Sequence, residues 1–153
     1  QGLQLGAAGP TLRGRGGAQD MREVKYEACA ELDFSPRVER AGDCYARRKV
    51  RFREVFQSID IVRAAIGRIP SSPLAAKVKG NPEGEEVTRV EQPRGELMYY
   101  VRCDGSKNPA RVRIRTPTFA NIPPLLAMLP GVQLADVPVI ALTIDPCISC
   151  TER

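Results

Sequence analysis

The chain has 153 residues, 42% hydrophobic and 27% charged, which suits one domain with a modest core and leaves no room for two. Its net charge of +5 is not matched by stacking platforms: aromatic residues are 5% and Trp is absent, so no nucleic acid is expected as a partner. No apolar run approaches the roughly 20 residues of a bilayer-spanning helix. The opening Gln1-Gly2-Leu3-Gln4 has neither a Met nor the regions of a signal peptide, so further sequence upstream of Gln1 is expected.

Residues 1–40 form a Gly-rich opening segment of little periodicity, read as a flexible connection around Gly14-Arg15-Gly16-Gly17. The pattern turns helical over 43–67, with Asp43 as N-cap and Gly67 as stop. Tyr45, Phe52, Val55, Phe56, Ile59, Val62 and Ile66 make one apolar stripe. The opposite face, Arg47, Arg48, Arg51, Arg53 and Asp60, reads as solvated or as packed against a partner subunit. Pro70, Pro73, Gly80, Pro82 and Gly84 mark a loop over 70–85.

The region 86–116 reads as β structure. Glu86–Gln92 and Gly95–Cys103 are extended, and the turn at Asp104–Pro109 leads into Arg111–Thr116, where Val112 and Ile114 alternate with arginines. That pattern predicts a half-buried antiparallel hairpin with its basic face outward. A short helix is expected around Pro124–Leu129, and Val137–Ile144 fits strand or helix.

Five Cys without an export signal point to a reducing compartment. Cys29, Cys44 and Cys103 read as small buried hydrophobes. With no His in the chain, metal chemistry must run on thiolates and carboxylates. Cys147 and Cys150 form a Cys-x-x-Cys pair, which alone fits half of a zinc site, a redox pair, or half of another thiolate metal site.

The wording Ile144-Asp145-Pro146-Cys147-Ile148-Ser149-Cys150-Thr151-Glu152-Arg153 resembles the C-terminal motif of the nickel–iron hydrogenase large subunit. Arg153, where most of that family has His, resembles the membrane-bound, energy-converting branch related to respiratory complex I. Glu91–Leu97 looks like the family's Pro-Arg-Gly segment and Arg115–Asn121 like its Pro-Ser/Thr segment. Gly42–Arg47 with Gln57-Ser58 resembles the long helix shared with the 49-kDa-type subunit of complex I, and Gly9–Gly14 resembles that subunit's Gly-Pro-x-x-Arg stretch.

The resemblance implies an α+β fold, a mainly helical large-subunit scaffold with a small antiparallel β-sheet and a C-terminal metal-binding turn at 145–153. It implies a Ni-Fe centre with CO and cyanide ligands on iron. Cys147 would be a terminal nickel ligand and Cys150 a ligand bridging nickel and iron, since thiolates select soft metals. Pro93, Arg94, Pro117 and Thr118 would surround the group, Thr118 donating to a cyanide and Arg94 placing its charged fork over the metals. The proton that accompanies H2 chemistry would pass to Cys147 or Arg94, with Asp145 anchoring Arg94 or relaying; Glu96 is a further relay candidate. By their own sequence context, Asp145 reads equally as a turn residue before Pro146, Arg94 as a surface strand residue and Glu96 as a solvated one.

The family's other two cysteines lie in a segment that this chain lacks, so the chain corresponds to the C-terminal half of a large subunit. Expected partners are the N-terminal half carrying the other Cys-x-x-Cys, a small subunit with iron–sulfur clusters, membrane subunits and ferredoxin. The expected location is the cytoplasmic face of a membrane-bound complex. An end at Arg153 is the one expected after proteolytic maturation. The expected activity is H2 formation or oxidation. The alternatives are a complex-I-like quinone or sulfur reductase subunit and a small zinc-stabilised binding module.

Overall fold

In a computed structural model, residues 5–152 are described. The opening Gln1–Gln4 and the motif's last residue, Arg153, lie outside them. The elements in order are α1 (Pro10–Arg13), 3-10 turns at Met21–Val24 and Glu27–Ala30, α2 (Cys44–Ile66), β1 (Glu83–Gln92), β2 (Gly95–Asp104), β3 (Arg111–Arg115), α3 (Pro117–Met128), a 3-10 turn at Leu134–Asp136, α4 (Val137–Thr143) and α5 (Ile148–Thr151). Helices plus one small sheet make the fold α+β, as the sequence predicts.

The long helix α2 starts where expected, because the Asp43 carboxylate accepts a hydrogen bond from Ala46 N at 2.7 Å and satisfies a first-turn donor. It ends at Gly67, whose N–H closes back on the Ala65 and Arg63 carbonyls. The orientation of its faces differs from the expectation of a solvated charged side. Ala46, Arg47, Val50, Glu54 and Gln57 are buried, whereas Tyr45, Phe52, Phe56, Ile59 and Ile66 are exposed. Arg51 is also turned inward, and only Arg48, Arg53 and Asp60 of the charged set stay outside.

The inversion has a physical cause in the opening segment. Rather than acting as a loose connection, residues 9–15 fold into α1 and its flanking turns, and Arg13 is 1% exposed. Its guanidinium donates to Glu54 Oε1 (2.6 Å) and Glu91 Oε1 (2.9 Å) and lies 3.1 Å from Asp20 Oδ2. Arg22 completes the cluster by pairing with Asp20 at 2.7 Å. Buried charges persist only when paired and hydrogen-bonded, and this cluster draws the polar side of α2 inward. Arg47 joins it to α4 through Thr143 Oγ1 at 2.8 Å, and Gln57 Nε2 donates to Ser35 O at 2.8 Å.

The sheet is three-stranded and antiparallel in the order β1-β2-β3, with Gln92 opposite Gly95 and Met98 opposite Arg115. Its outer end is exposed on both sides: Val87, Tyr99 and Val112 all face solvent alongside Arg111 and Arg113. Only the end near the Gln92–Gly95 turn is packed, against α3 and the opening segment.

Helix α3 begins at Pro117, earlier than the expected Pro124, because Pro is pre-set for the first helical turn. Pro124, which the sequence reading placed at the start, sits inside it together with Pro123. Val137–Thr143 is helical, with Pro138 in its first turn. The lone cysteines Cys29, Cys44 and Cys103 are half-buried rather than core residues, and Cys44 Sγ accepts a bond from Arg47 Nη2. Among the described residues no helix is long and apolar enough to cross a membrane.

Candidate metal centre

Three chain segments converge on the Cys pair. After α4 the chain reaches Ile144, which is fully buried, and Asp145 then takes a left-handed backbone (φ 53°) that turns Pro146 and Cys147 back toward α3. Cys147 is the N-cap position of α5, and Cys150 N donates to Cys147 O at 3.1 Å, so one helical turn holds both residues. Thr151 Oγ1 closes the same turn on Cys147 O at 2.8 Å.

From α3, Thr118 is fully buried and its hydroxyl accepts from Cys147 N at 3.3 Å. Thr116 leaves the start of its own helix without a side-chain cap and donates its hydroxyl to Cys150 O instead. Pro117, between them, is buried. The Pro-Thr segment is therefore the wall against which the Cys-x-x-Cys turn is set.

From the sheet, the β1–β2 turn at Pro93-Arg94 delivers Arg94. Its Nε donates to Asp145 O at 2.7 Å and lies 3.0 Å from Asp145 Oδ2. Arg51 of α2 reaches the same carboxylate at 3.5 Å and donates to Thr143 O at 3.2 Å. Asp145 thus anchors Arg94, as the sequence reading expects, and its turn conformation and its pairing coexist. Arg94 is no solvated strand residue; its positive charge acts on both thiols. Glu96 is instead tied to Arg115 at 3.2 Å and Arg89 at 3.9 Å, on the sheet. Pro93 is exposed at the rim of a groove of about 870 Å³ whose walls include Val55, Ile59 and Val62, and whose polar end holds Arg51 and Asp145.

The two thiols differ. A hydrogen bond with Ser149, then the backbone N–H of Cys150, pulls Cys147 down to about 7. Burial, then the neighbouring Cys147, pushes Cys150 up. The thiolate is the ligand and nucleophile form, so Cys147 carries it first near neutral pH. Two thiols on one turn, backed by a buried hydroxyl and faced by a guanidinium, suit half of a soft-metal site. Among the described residues no group of three or more His, Cys, Asp or Glu assembles around a common point, so the pair does not complete a zinc site within this set.

Arg13 and Asn121, in segments matched by resemblance, and Arg51, on the charged face of α2, were given no role at the site by sequence reasoning. Asn121 is fully buried and bonds to Ala8 N, Ala8 O and Arg94 O. Its signal was available: a lone amide in the apolar run Phe119-Ala120-Asn121-Ile122 must find partners or stay outside.

Compared with known proteins, the chain matches the family described as respiratory-chain NADH dehydrogenase, 49-kDa subunit, over residues 1–81 and 77–153. It is 41% identical to a carbon monoxide-induced hydrogenase of Rhodospirillum rubrum, covering 99% of this chain and 42% of that protein. It is 37% identical to a membrane-bound hydrogenase subunit alpha of Pyrococcus furiosus, over 99% of this chain and 40% of that one. Among solved structures, a chain of an archaeal membrane-bound sulfane sulfur reductase superposes with a TM-score of 0.90 at 35% identity, covering 99% of this chain and 43% of that one. The chain therefore spans less than half the length of these relatives.

Proposed function

We propose that this chain, which belongs to the 49-kDa subunit family of respiratory-chain NADH dehydrogenase, is part of the catalytic large subunit of a nickel–iron hydrogenase that forms or oxidises H2. The observation that carries the reading is the convergence of Cys147 and Cys150 with Thr118 on one side and the Arg94–Asp145 pair on the other. Cys147 and Cys150 would hold the metals, and the group, when bound, supplies the redox centre at which H2 is made or consumed. The Thr118 hydroxyl, which accepts from Cys147 N beneath the Cys turn, would donate toward a ligand of the iron.

Proton handling falls to this chain's own groups. In this reading Cys147 Sγ or the Arg94 guanidinium would take the proton that accompanies H2 chemistry. The Asp145 carboxylate fixes Arg94 through Nε and receives Arg51 on the same oxygen, so two cations flank the route by which a proton would leave.

The relatives' greater length supports a partner segment supplying two further thiolates and covering the exposed apolar side of α2. A small subunit with iron–sulfur clusters, membrane subunits and ferredoxin complete the proposed assembly, at the cytoplasmic face of a membrane.

A second reading has a specific observation behind it: the scaffold likeness to a sulfane sulfur reductase chain serves a quinone- or sulfur-reducing relative equally well. Retention of both Cys147 and Cys150 in this chain favours the hydrogenase reading over that one. Infrared absorption of the purified native complex tests this, since CO and cyanide stretches are expected from a nickel–iron site. Active complex with a silent spectrum rejects the hydrogenase reading. Cys150→Ala should abolish H2 turnover while α2 and the sheet stay folded, and continued turnover would remove Cys150 from the ligand set.

A further inference from the structure

We infer that Asn121 is a positioning residue that sets Arg94 against Asp145, two residues before Cys147, an inference that rests on the proposed role of that site. Arg94 is held at two points. Its side chain is held at Nε by Asp145 O and Oδ2. Its peptide is held by Asn121, whose Nδ2 donates to Arg94 O and to Ala8 O, both at 3.3 Å. The same carboxamide accepts from Ala8 N through Oδ1 at 3.0 Å. One fully buried amide therefore ties α3 to the opening segment and to the β1–β2 turn at once.

The opening segment acts as the stop against which that turn is set. Gly9 has φ 61°, and a Cβ there would lie 2.5 Å from Arg94 O. Gly95 has φ 129°, and a Cβ there would lie 2.8 Å from Gly9 N. Two backbones thus meet with no side chain between them, and only glycine permits both the conformation and the approach. The Arg94 carbonyl is fixed in front by Gly9 and from the side by Asn121, which sets the backbone position from which its side chain reaches Asp145. The carboxamide thus links the helix that carries Thr118 to the turn that carries Arg94.

The test uses the purified complex with Asn121→Ala, Asn121→Asp and Arg94→Lys, and with Val50→Ala as a core-destabilising control on α2. Asn121→Asp keeps the Oδ1 acceptor and the shape but loses both donors. Displacing a positioned group by about 1 Å costs on the order of 10²-fold in rate. Both Asn121 variants should therefore lose about that much in kcat for H2 turnover at little-changed KM, whereas Val50→Ala keeps its kcat. In the Arg94→Lys background, Asn121→Ala should add less than about twofold, because a residue acting through Arg94 has nothing left to aim. Losses that multiply in the double variant would overturn the inference. Electron cryo-microscopy of the Asn121→Asp complex should show Arg94 Nε withdrawn from Asp145; an unchanged contact would equally overturn it. That structural readout does not depend on the metals. Absence of CO and cyanide bands in the wild type would reject the hydrogenase reading and leave the Arg94 geometry to decide the role of Asn121.

Discussion

Along α2, the side turned into the domain carries Arg47, Glu54 and Gln57 around Val50, whereas the side turned outward carries Phe52, Phe56, Ile59 and Ile66. Inside, each of the three polar side chains finds a partner in a distant segment: Glu54 in Arg13, Arg47 in Thr143, and Gln57 through Nε2 in Ser35, while Gln57 Oε1 is left unpaired among the described residues. Outside, Phe52 is 62% and Phe56 67% exposed, and neighbouring Val55, Ile59 and Val62 line the groove that ends at Asp145. The difference teaches that burial on this helix follows from which groups have partners in the chain. Hydropathy alone would turn it the other way. A contiguous apolar face of this kind on a folded chain marks an interaction surface, here one adjoining the candidate metal centre.

Removing the keystone of the inner face should have the largest effect. Arg13→Ala leaves Asp20, Glu54 and Glu91 buried with Arg22 as the remaining cation in contact, through Asp20. Breaking one partner out of a buried ion cluster costs about 3–5 kcal/mol, read as a lowered midpoint in urea denaturation. A loss below about 1 kcal/mol would mean that the inward polar face is not held by this cluster. Val50→Ala, at the fully buried apolar centre of the same face, should cost about 2 kcal/mol through lost transfer energy and the cavity.

The same cluster sets a pH dependence. Burial, only partly countered by Arg13, pushes Glu54 and Glu91 above their ordinary 4.5. The folded chain therefore keeps these protons to higher pH than the unfolded chain does. As pH rises through about 4.5 toward the raised values the unfolded state binds fewer protons, and stability falls by at most about 1.4 kcal/mol per pH unit for each carboxyl. Asp20 acts in the opposite direction. Burial works against its charge, but the hydrogen bond from Arg22 and the charge of Arg13 prevail and hold it below 3.8. Its contribution is present above that value and is lost as pH falls through the depressed one. Denaturation across this range should show stability declining on the alkaline side, and Glu54→Gln, which keeps an acceptor for Arg13 Nε, should flatten that decline. An unaltered slope would assign the titration elsewhere.

Much of this was legible in the sequence where the signal is local. Asp43 and Gly67 bound α2, and the extended run Gly95–Cys103 located β2. The segments bearing Arg94, Thr118 and Asp145 were picked out by resemblance, and the fold brings all three to the Cys turn. What escaped depends on contacts between remote segments. Arg13 lies 41 residues from Glu54 and 78 from Glu91, and Asn121 lies 113 from Ala8. No periodicity encodes such pairings. The facing of α2 was missed for the same reason, since a 3.6-residue stripe fixes which residues share a side but leaves open which side is inside.

The outer face should give the smallest effect in the chain by itself, and there the comparison is most exposed to failure. Ile59→Ser alters a side chain that is 42% exposed and touches the groove rather than the core. Surface changes away from special contacts stay within about 0.5 kcal/mol, so its urea midpoint should match the parent within that margin. If a partner segment covers this face, the same substitution places a hydroxyl in a buried apolar contact. The assembled complex should then lose about 2 kcal/mol or more in association, by the cost of stranding a polar group away from water. Co-purification of partner subunits at graded salt reads that loss. Equal, small effects in both settings would mean that the apolar side of α2 stays in water, and the inward polar face would then have formed without any partner to take the apolar one.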